Sequence, residues 1–374
     1  MTHRERWLRT MHYQTVDHVP DVEFGYWGDT LRAWQEQGLP REISDDGKAD
    51  RYFGFAPAGG AGGDLGLRPG FESKVIGERD GHRIVRDGSG VTYEEHTDGA
   101  SSIPHYIDFP IKSRADWPEF KRRLNPSTPG RYPDDETWAR WKATWAARDC
   151  PLTVSFGSLF GWLRNWMGFE GASMMMYDDP GLMHEMMEHL TEFFIAVQRR
   201  TLEEVAIDYG SFWEDMAFGH GPMISPKMFD EFLVPRYQRI TEFAKRHGVD
   251  VFVVDCDGNI NDVAGLWLKG GVNCMFPIEV AAGTDPVVLR RRWGKEMLLA
   301  GGVNKRALAR GKRDIDAEIK RLEPLVAEGG FIPHVDHRVP PDVSFDNYLY
   351  YLKVKRSAFG IPEPPPWEER KPAS

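Results

Sequence analysis

From Pro151 onward the chain repeats one rhythm: a short apolar stretch, a polar loop, then a helical segment. Residues 152–156 precede a helix over 180–205. Residues 209–215 precede a helix that opens on Ser225-Pro226, a Ser cap with Pro at the first helical position. Residues 251–257 precede a helix ending near Lys269-Gly-Gly271. The stretches 273–279, 296–303 and 330–337 continue the series, followed by helices over 285–293, 314–328 and 344–355. Alternation at this spacing implies parallel strands joined by crossover helices. No Gly-x-Gly-x-x-Gly loop follows any strand, which favours a (β/α)8 TIM barrel over a doubly wound sheet. Residues 22–27 read as the first strand, after a helix over 3–14. That places seven strands and leaves an eighth somewhere before Pro151.

The region before Pro151 carries a second signal. Residues 54–70 are rich in Gly and Ala and read as an irregular, partly buried loop. Residues 72–78, 83–86 and 91–95 are strand-like and separated by Asp80-Gly81 and Asp87-Gly-Ser-Gly90, both turn formers. This antiparallel meander is predicted to be a small β-flap on an N-terminal extension of the barrel, within an insertion of about 60–130. Short helices are expected over 31–37, 116–124 and 134–148, the last with Trp138, Trp141 and Trp145 as a core stripe. The whole of 1–374 reads as one barrel domain, with a frayed tail over 362–374.

A net charge of -10 argues against nucleic acid as a partner, since phosphate contacts need a basic face. No apolar run approaches the ~18–20 residues of a membrane span, and the charged N-terminus lacks the apolar stretch of a signal peptide. Cys150, Cys256 and Cys274 are too few and too scattered for a disulfide framework. A cytoplasmic protein is the expectation.

Chemistry in such barrels collects at the carboxyl ends of the strands. Those ends offer Glu214 and Asp215, then Asp255, Asp257 and Asn259, then Glu279, Asn304, Asp336 and His337. Side chains alternate along a strand. Phe252, Val254 and Cys256 therefore share one face of 251–257, while Val251, Val253, Asp255 and Asp257 share the other. If the first face meets an outer helix, both carboxylates point into the barrel mouth. Burying several acids without a cation costs several kcal/mol each. A divalent cation on Asp255, Asp257, Glu279 and His337 would relieve that, with Zn²⁺ the first choice and Mn²⁺ or Fe²⁺ alternatives. The competing resolution is a metal-free site that orients a cationic or proton-carrying ligand. Asp215 and Glu214 are read as proton carriers or hydrogen-bond acceptors, with His337 as a third catalytic group. Cys256 and Cys274 read as small buried hydrophobes, and His184, His220 and His334 as surface or core histidines. The aromatic stretch 160–167, read as a loop, is too apolar for an exposed connection. Its Phe160, Trp162 and Trp166, with Asn259, are candidates for holding a ring or the flat face of a cofactor.

Several motifs then converge. Arg4-Glu-Arg-Trp7, Asp17-His-Val-Pro20, the Ser225-Pro226 helix start, Gly301-Gly-Val-Asn304 and Asp336-His-Arg-Val-Pro-Pro-Asp-Val-Ser-Phe-Asp-Asn347 resemble the uroporphyrinogen decarboxylase superfamily over essentially the whole chain. The resemblance implies a (β/α)8 barrel. It is closer to the cobalamin-dependent methyltransferase-like branch than to true uroporphyrinogen decarboxylases. The latter carry an Arg pair after the first strand to grip a polycarboxylate; here Phe24-Gly-Tyr-Trp-Gly-Asp-Thr30 stands there, with no Arg until Arg32.

The methyltransferase branch moves a methyl group between a corrinoid protein and a thiol, a folate or a methylated donor. Its thiol-methylating members carry His-x-Cys-Gly-Asn and a late Cys as zinc ligands. The matching positions here read Asp255-Cys-Asp257-Gly-Asn259 and His337, a harder oxygen and imidazole set. The resemblance thus implies a corrinoid-dependent methyltransferase. Its cofactors would be a divalent metal and cobalamin on a partner corrinoid protein, and its substrate a small, methoxylated molecule or tetrahydrofolate. A homodimer is a common state in the superfamily. A decarboxylase or lyase of a small or tetrapyrrole acid, and a non-catalytic small-molecule binding barrel, are the alternatives.

Overall fold

The computed structural model describes residues 1–96 and 104–370. Seven parallel strands form one sheet in chain order: β1 (Gly59–Ala61), β2 (Leu152–Ser155), β3 (Tyr209–Trp213), β4 (Phe252–Asp255), β5 (Cys274–Phe276), β6 (Leu298–Val303) and β7 (Phe331–Val335). Helices follow the strands and cover the outside, among them Pro180–Glu204, Val234–Lys245, Pro286–Trp293, Lys312–Glu328 and Phe345–Phe359. This is the TIM-barrel-type α/β architecture that the rhythm predicts. As the Ser225-Pro226 signal requires, the Ser225 side chain accepts the Met228 N–H at 3.2 Å and starts the Pro226–Phe232 helix.

Two expectations about the strands are corrected. Residues 22–27 do not form a ladder strand; they touch the sheet through a single parallel bridge, Tyr26 to Val339. The strand before Pro151 is β1, inside the stretch read as an irregular loop. Among the described residues no ladder joins β7 to β1. The extended 21–27 segment lies across that seam instead, with the Ala56 N–H donating to the Asp21 carbonyl at 2.7 Å and the Val339 N–H to the Gly25 carbonyl at 2.9 Å. Side chains take the backbone partners a ladder would use. The Glu23 carboxylate accepts the Val335 N–H at 2.9 Å, and Asp46 accepts the Tyr26 N–H at 3.1 Å.

Apolar packing falls into two clusters. The larger lies between sheet and helices and includes Phe212, Phe252, Val254, Leu299 and Val335. The smaller lies inside the barrel, where Trp7 and Met11 of the His3–Met11 helix meet Val251, Cys274, Leu298, Ala300 and Ile332. Trp7 stacks on Tyr209 at 4.6 Å, so this helix closes the floor.

The flap is a four-stranded antiparallel sheet: Lys74–Arg79, His82–Arg86, Thr92–His96 and His105–Asp108. Asp80 and Gly81 have φ of 51° and 77°, the two positive values a tight hairpin turn needs. Residues 160–167, expected to be a loop, form a helix, Phe160–Met167. The tryptophan stripe is partial, with Trp138 buried, Trp145 half-buried and Trp141 44% exposed. The tail is not frayed over its described part. Trp367 lies 5.5 Å from Tyr52, and Arg370 donates to the Tyr52 carbonyl at 2.9 Å. Residues 371–374 of that expectation lie outside the described residues. No helix among the described residues is long and apolar enough to cross a membrane.

Candidate functional site

The opening of the barrel at the strands' carboxyl ends is built from β3 and β4. Asp255 ends β4 in register with Trp213 of β3 and Phe276 of β5. Beyond β3 the backbone turns sharply: Glu214 and Asp215 both direct their N–H groups at the Asp255 carbonyl, and Asp215 has φ of 42°. That turn delivers Asp215 to Asp255 and Asp257. One carboxylate oxygen from each of the three lies within 4.8 Å of the others. His337, from the loop after β7, reaches Asp257 with Nε2 to Oδ2 at 2.9 Å. Its ring stacks on Trp27 at 5.7 Å and meets Phe24 edge-on at 5.7 Å.

The electrostatics follow from this crowding. Burial, then the Asp215 and Asp257 charges, push Asp255 up to about 8. Burial and the Asp257 charge push Asp215 up to about 6. Burial opposes the charged form of His337, but the hydrogen bond to Asp257 and that residue's charge together outweigh it and raise the ring's pKa. The Asp257 Oδ1 atom is buried with no hydrogen-bond partner. A buried carboxylate oxygen without a donor is costly, and a cation shared with Asp215 and Asp255 would relieve that cost. The oxygen donors and the imidazole fit a divalent metal of the hard or borderline kind.

The expected ligand set is therefore rearranged. Asp255 and Asp257 come together as parity along the strand requires, and Asp215 joins them as the third carboxylate. Glu279 lies outside the triad: it pairs with Lys305 at 2.6 Å and accepts the Gly258 N–H at 2.9 Å. Glu214 turns the other way. Fully buried, it accepts from the Leu159, Phe160 and Gly161 N–H groups at 2.8 to 3.0 Å, from Ser158 Oγ and from Tyr237 Oη. It caps the Phe160–Met167 helix from outside, and its lone pairs are used. Asp336 accepts the Ala281 and Lys305 N–H groups, so it ties two loops together.

The proposed ring-holding residues do not converge on the acids. Phe160 and Trp166 are buried in the outer core, and Trp162 lines a separate shallow depression beside Gly60–Gly66, Trp141 and Gln198. The Asn259 side chain accepts from Asn261, shaping its own loop. Cys256 and Cys274 are buried, their thiols pushed up by burial. The residue missed as a partner of the pair was Asp215. The same alternation applied to 209–215 places Tyr209, Ser211, Trp213 and Asp215 inward and Glu214 outward.

Fold and site define a TIM-barrel-type α/β protein with a cluster of three acids at the carboxyl ends of its strands. The chain belongs to the uroporphyrinogen decarboxylase (URO-D) family, whose sequence profile matches residues 138–357. A uroporphyrinogen decarboxylase from Synechocystis is 23% identical over 182 residues, a match spanning 49% of this chain and 50% of that protein. Among solved structures, a methyltransferase from Methanosarcina mazei superposes with a TM-score of 0.58 at 16% identity, covering 96% of this chain and 98% of the other. That likeness shows the fold.

Proposed function

We propose that the chain is a corrinoid-dependent methyltransferase. It moves a methyl group between a corrinoid protein and a small, methoxylated substrate or tetrahydrofolate. The observation that carries this reading is the convergence of Asp215, Asp255 and Asp257, with one orphaned oxygen and His337 alongside. The overall likeness to a protein named as a methyltransferase supports it.

Asp215, Asp255 and Asp257 would hold a divalent cation. Such a cation supplies Lewis acidity toward an ether or hydroxyl oxygen. Asp257 orients His337 through Nε2 and raises the ring's affinity for a proton. Without a cation, burial and the Asp257 charge push Asp215 up to about 6; as a ligand it would stay ionised, which leaves His337 as the proton carrier. Trp27 and Phe24 flank the imidazole and limit water around it.

A decarboxylase is the second reading, favoured by the family and by the Synechocystis relative. Against a polycarboxylate substrate stands the engagement of the nearby cations. Arg164 bonds the Asp215 carbonyl, Lys305 pairs with Glu279, and Arg338 pairs with Asp46. Two assays separate the readings. Methyl transfer to or from free cobalamin, followed by its visible spectrum with methoxylated compounds or methyl-tetrahydrofolate, is expected to proceed. Carbon dioxide release from uroporphyrinogen without any corrinoid would overturn the proposal.

A further inference from the structure

Barrels of this kind are ordinarily filled by layers of large branched side chains. This one is not. Between the helix floor at Trp7 and Met11 and the acid end at Asp255 lies a cavity of about 360 Å³. The cause is readable in the inward positions of the strands. Thr153, Ser155, Ser211 and Ala300 on the strands, with Ala58 just before β1, line the space where such barrels carry Val, Ile and Leu. Void of this size is expensive to leave empty. It matches small-ligand pockets in volume, and an apolar cavity of only ~150 Å³ already holds a benzene ring.

We propose that the barrel interior is a binding chamber for a small, neutral, mostly apolar molecule that carries a hydroxyl group. The walls supply the first half of that description, with Val22, Val253, Phe276 and Ile332 among the lining and no Lys or Arg to receive an anion. His334 supplies the second. Its side chain is buried and lines the chamber. Nδ1 lies 2.8 Å from the Val335 carbonyl, so Nδ1 carries the hydrogen. Burial holds the ring neutral, its pKa down at about 3. Nε2 is then an acceptor, and it has no hydrogen-bond partner among the described residues. An acceptor without a donor in an apolar wall asks for a hydroxyl from the occupant. Thr153 donates to Ser211 at 3.3 Å and Ser155 accepts the Gly157 N–H at 3.1 Å, so both serines already accept a hydrogen, whereas Nε2 of His334 accepts none among the described residues.

The proposal deepens the methyl-transfer reading by naming a substrate class for the same end of the barrel. Binding is read without turnover, so either can fail while the other stands. Titration calorimetry with benzyl alcohol and with toluene tests it. Wild-type protein is expected to bind benzyl alcohol saturably and about fivefold or more tighter than toluene, the scale of one added hydrogen bond. His334→Phe should collapse that preference to less than twofold. Ser211→Leu, which fills the chamber, should abolish binding of both at an equal or higher melting temperature. No saturable binding to the wild type would mean a chamber that holds water only, and would overturn the proposal. So would binding that survives Ser211→Leu, or a preference that survives His334→Phe.

Discussion

Glu214 and Asp215 are adjacent carboxylates with opposite fates. Glu214 is held by five donors at the start of a helix, whereas Asp215 faces two other acids. Glu214→Ala leaves those donors without an acceptor, at about 1–3 kcal/mol for each that water fails to reach. A loss of at least about 3 kcal/mol in urea unfolding is expected, with activity falling only through lost folded protein. Asp255 gives the reverse sign. In the chelated protein its folded pKa of about 8 lies above the ordinary value near 4. Its contribution to stability is therefore full below pH ~4 and is lost as pH rises through about 8. Asp255→Asn should raise the melting temperature of metal-free protein at pH 8 and change it little at pH 4; equal shifts at both would show that burial does not hold this acid neutral. Much of this was legible at the residue level. Alternation along 251–257 placed Asp255 and Asp257 on one face, and the same count along 209–215 separates Glu214 from Asp215. The Glu279–Lys305 pair was not legible, because it joins two loops whose approach depends on the packed barrel.

Among the elements, β6 shows how backbone geometry shapes the mouth. Gly301 has φ of 99°, and a Cβ there would lie 1.7 Å from the Pro277 carbonyl oxygen. Gly301→Ala must displace backbone rather than a side chain. It is expected to cost more than about 3 kcal/mol, at the severe end for a point substitution, read as a drop in denaturation midpoint; a fully stable variant would show that the 277 loop can move freely. Strands rich in Val, Phe, Ile and Leu were recognisable from composition and spacing. β1 was not, since Gly59-Gly-Ala61 carries no apolar signal and owes its conformation to pairing with β2. Residues 22–27 looked like a strand for their alternation alone. Glu23 then diverts the ladder by taking the Val335 N–H on its side chain. The Phe160–Met167 helix was hidden for a related reason: Ser158 takes only the Trp162 N–H at 3.1 Å, while the three N–H groups before it go to Glu214, more than fifty residues away.

At the level of the whole molecule, the floor, the chamber and the acids lie along one axis of the barrel. Trp7→Ala removes the stacked floor and should cost about 3–5 kcal/mol, as large buried aromatics do, while toluene binding weakens; unchanged stability would place the floor elsewhere. The strand–helix rhythm made the architecture legible, and the family follows from residues 138–357. The empty interior was not legible, because small residues at inward positions stand out only once register is known. The central claim concerns the end of that axis away from the Trp7 floor, where three acids and an imidazole meet. Equilibrium dialysis of chelator-treated protein against Zn²⁺ or Mn²⁺, with bound metal counted by elemental analysis, addresses it directly. About one ion per chain is expected, lost in Asp215→Asn and Asp257→Asn while both variants stay folded. A folded wild-type chain that takes up no ion, or variants that retain it, would contradict the metal site.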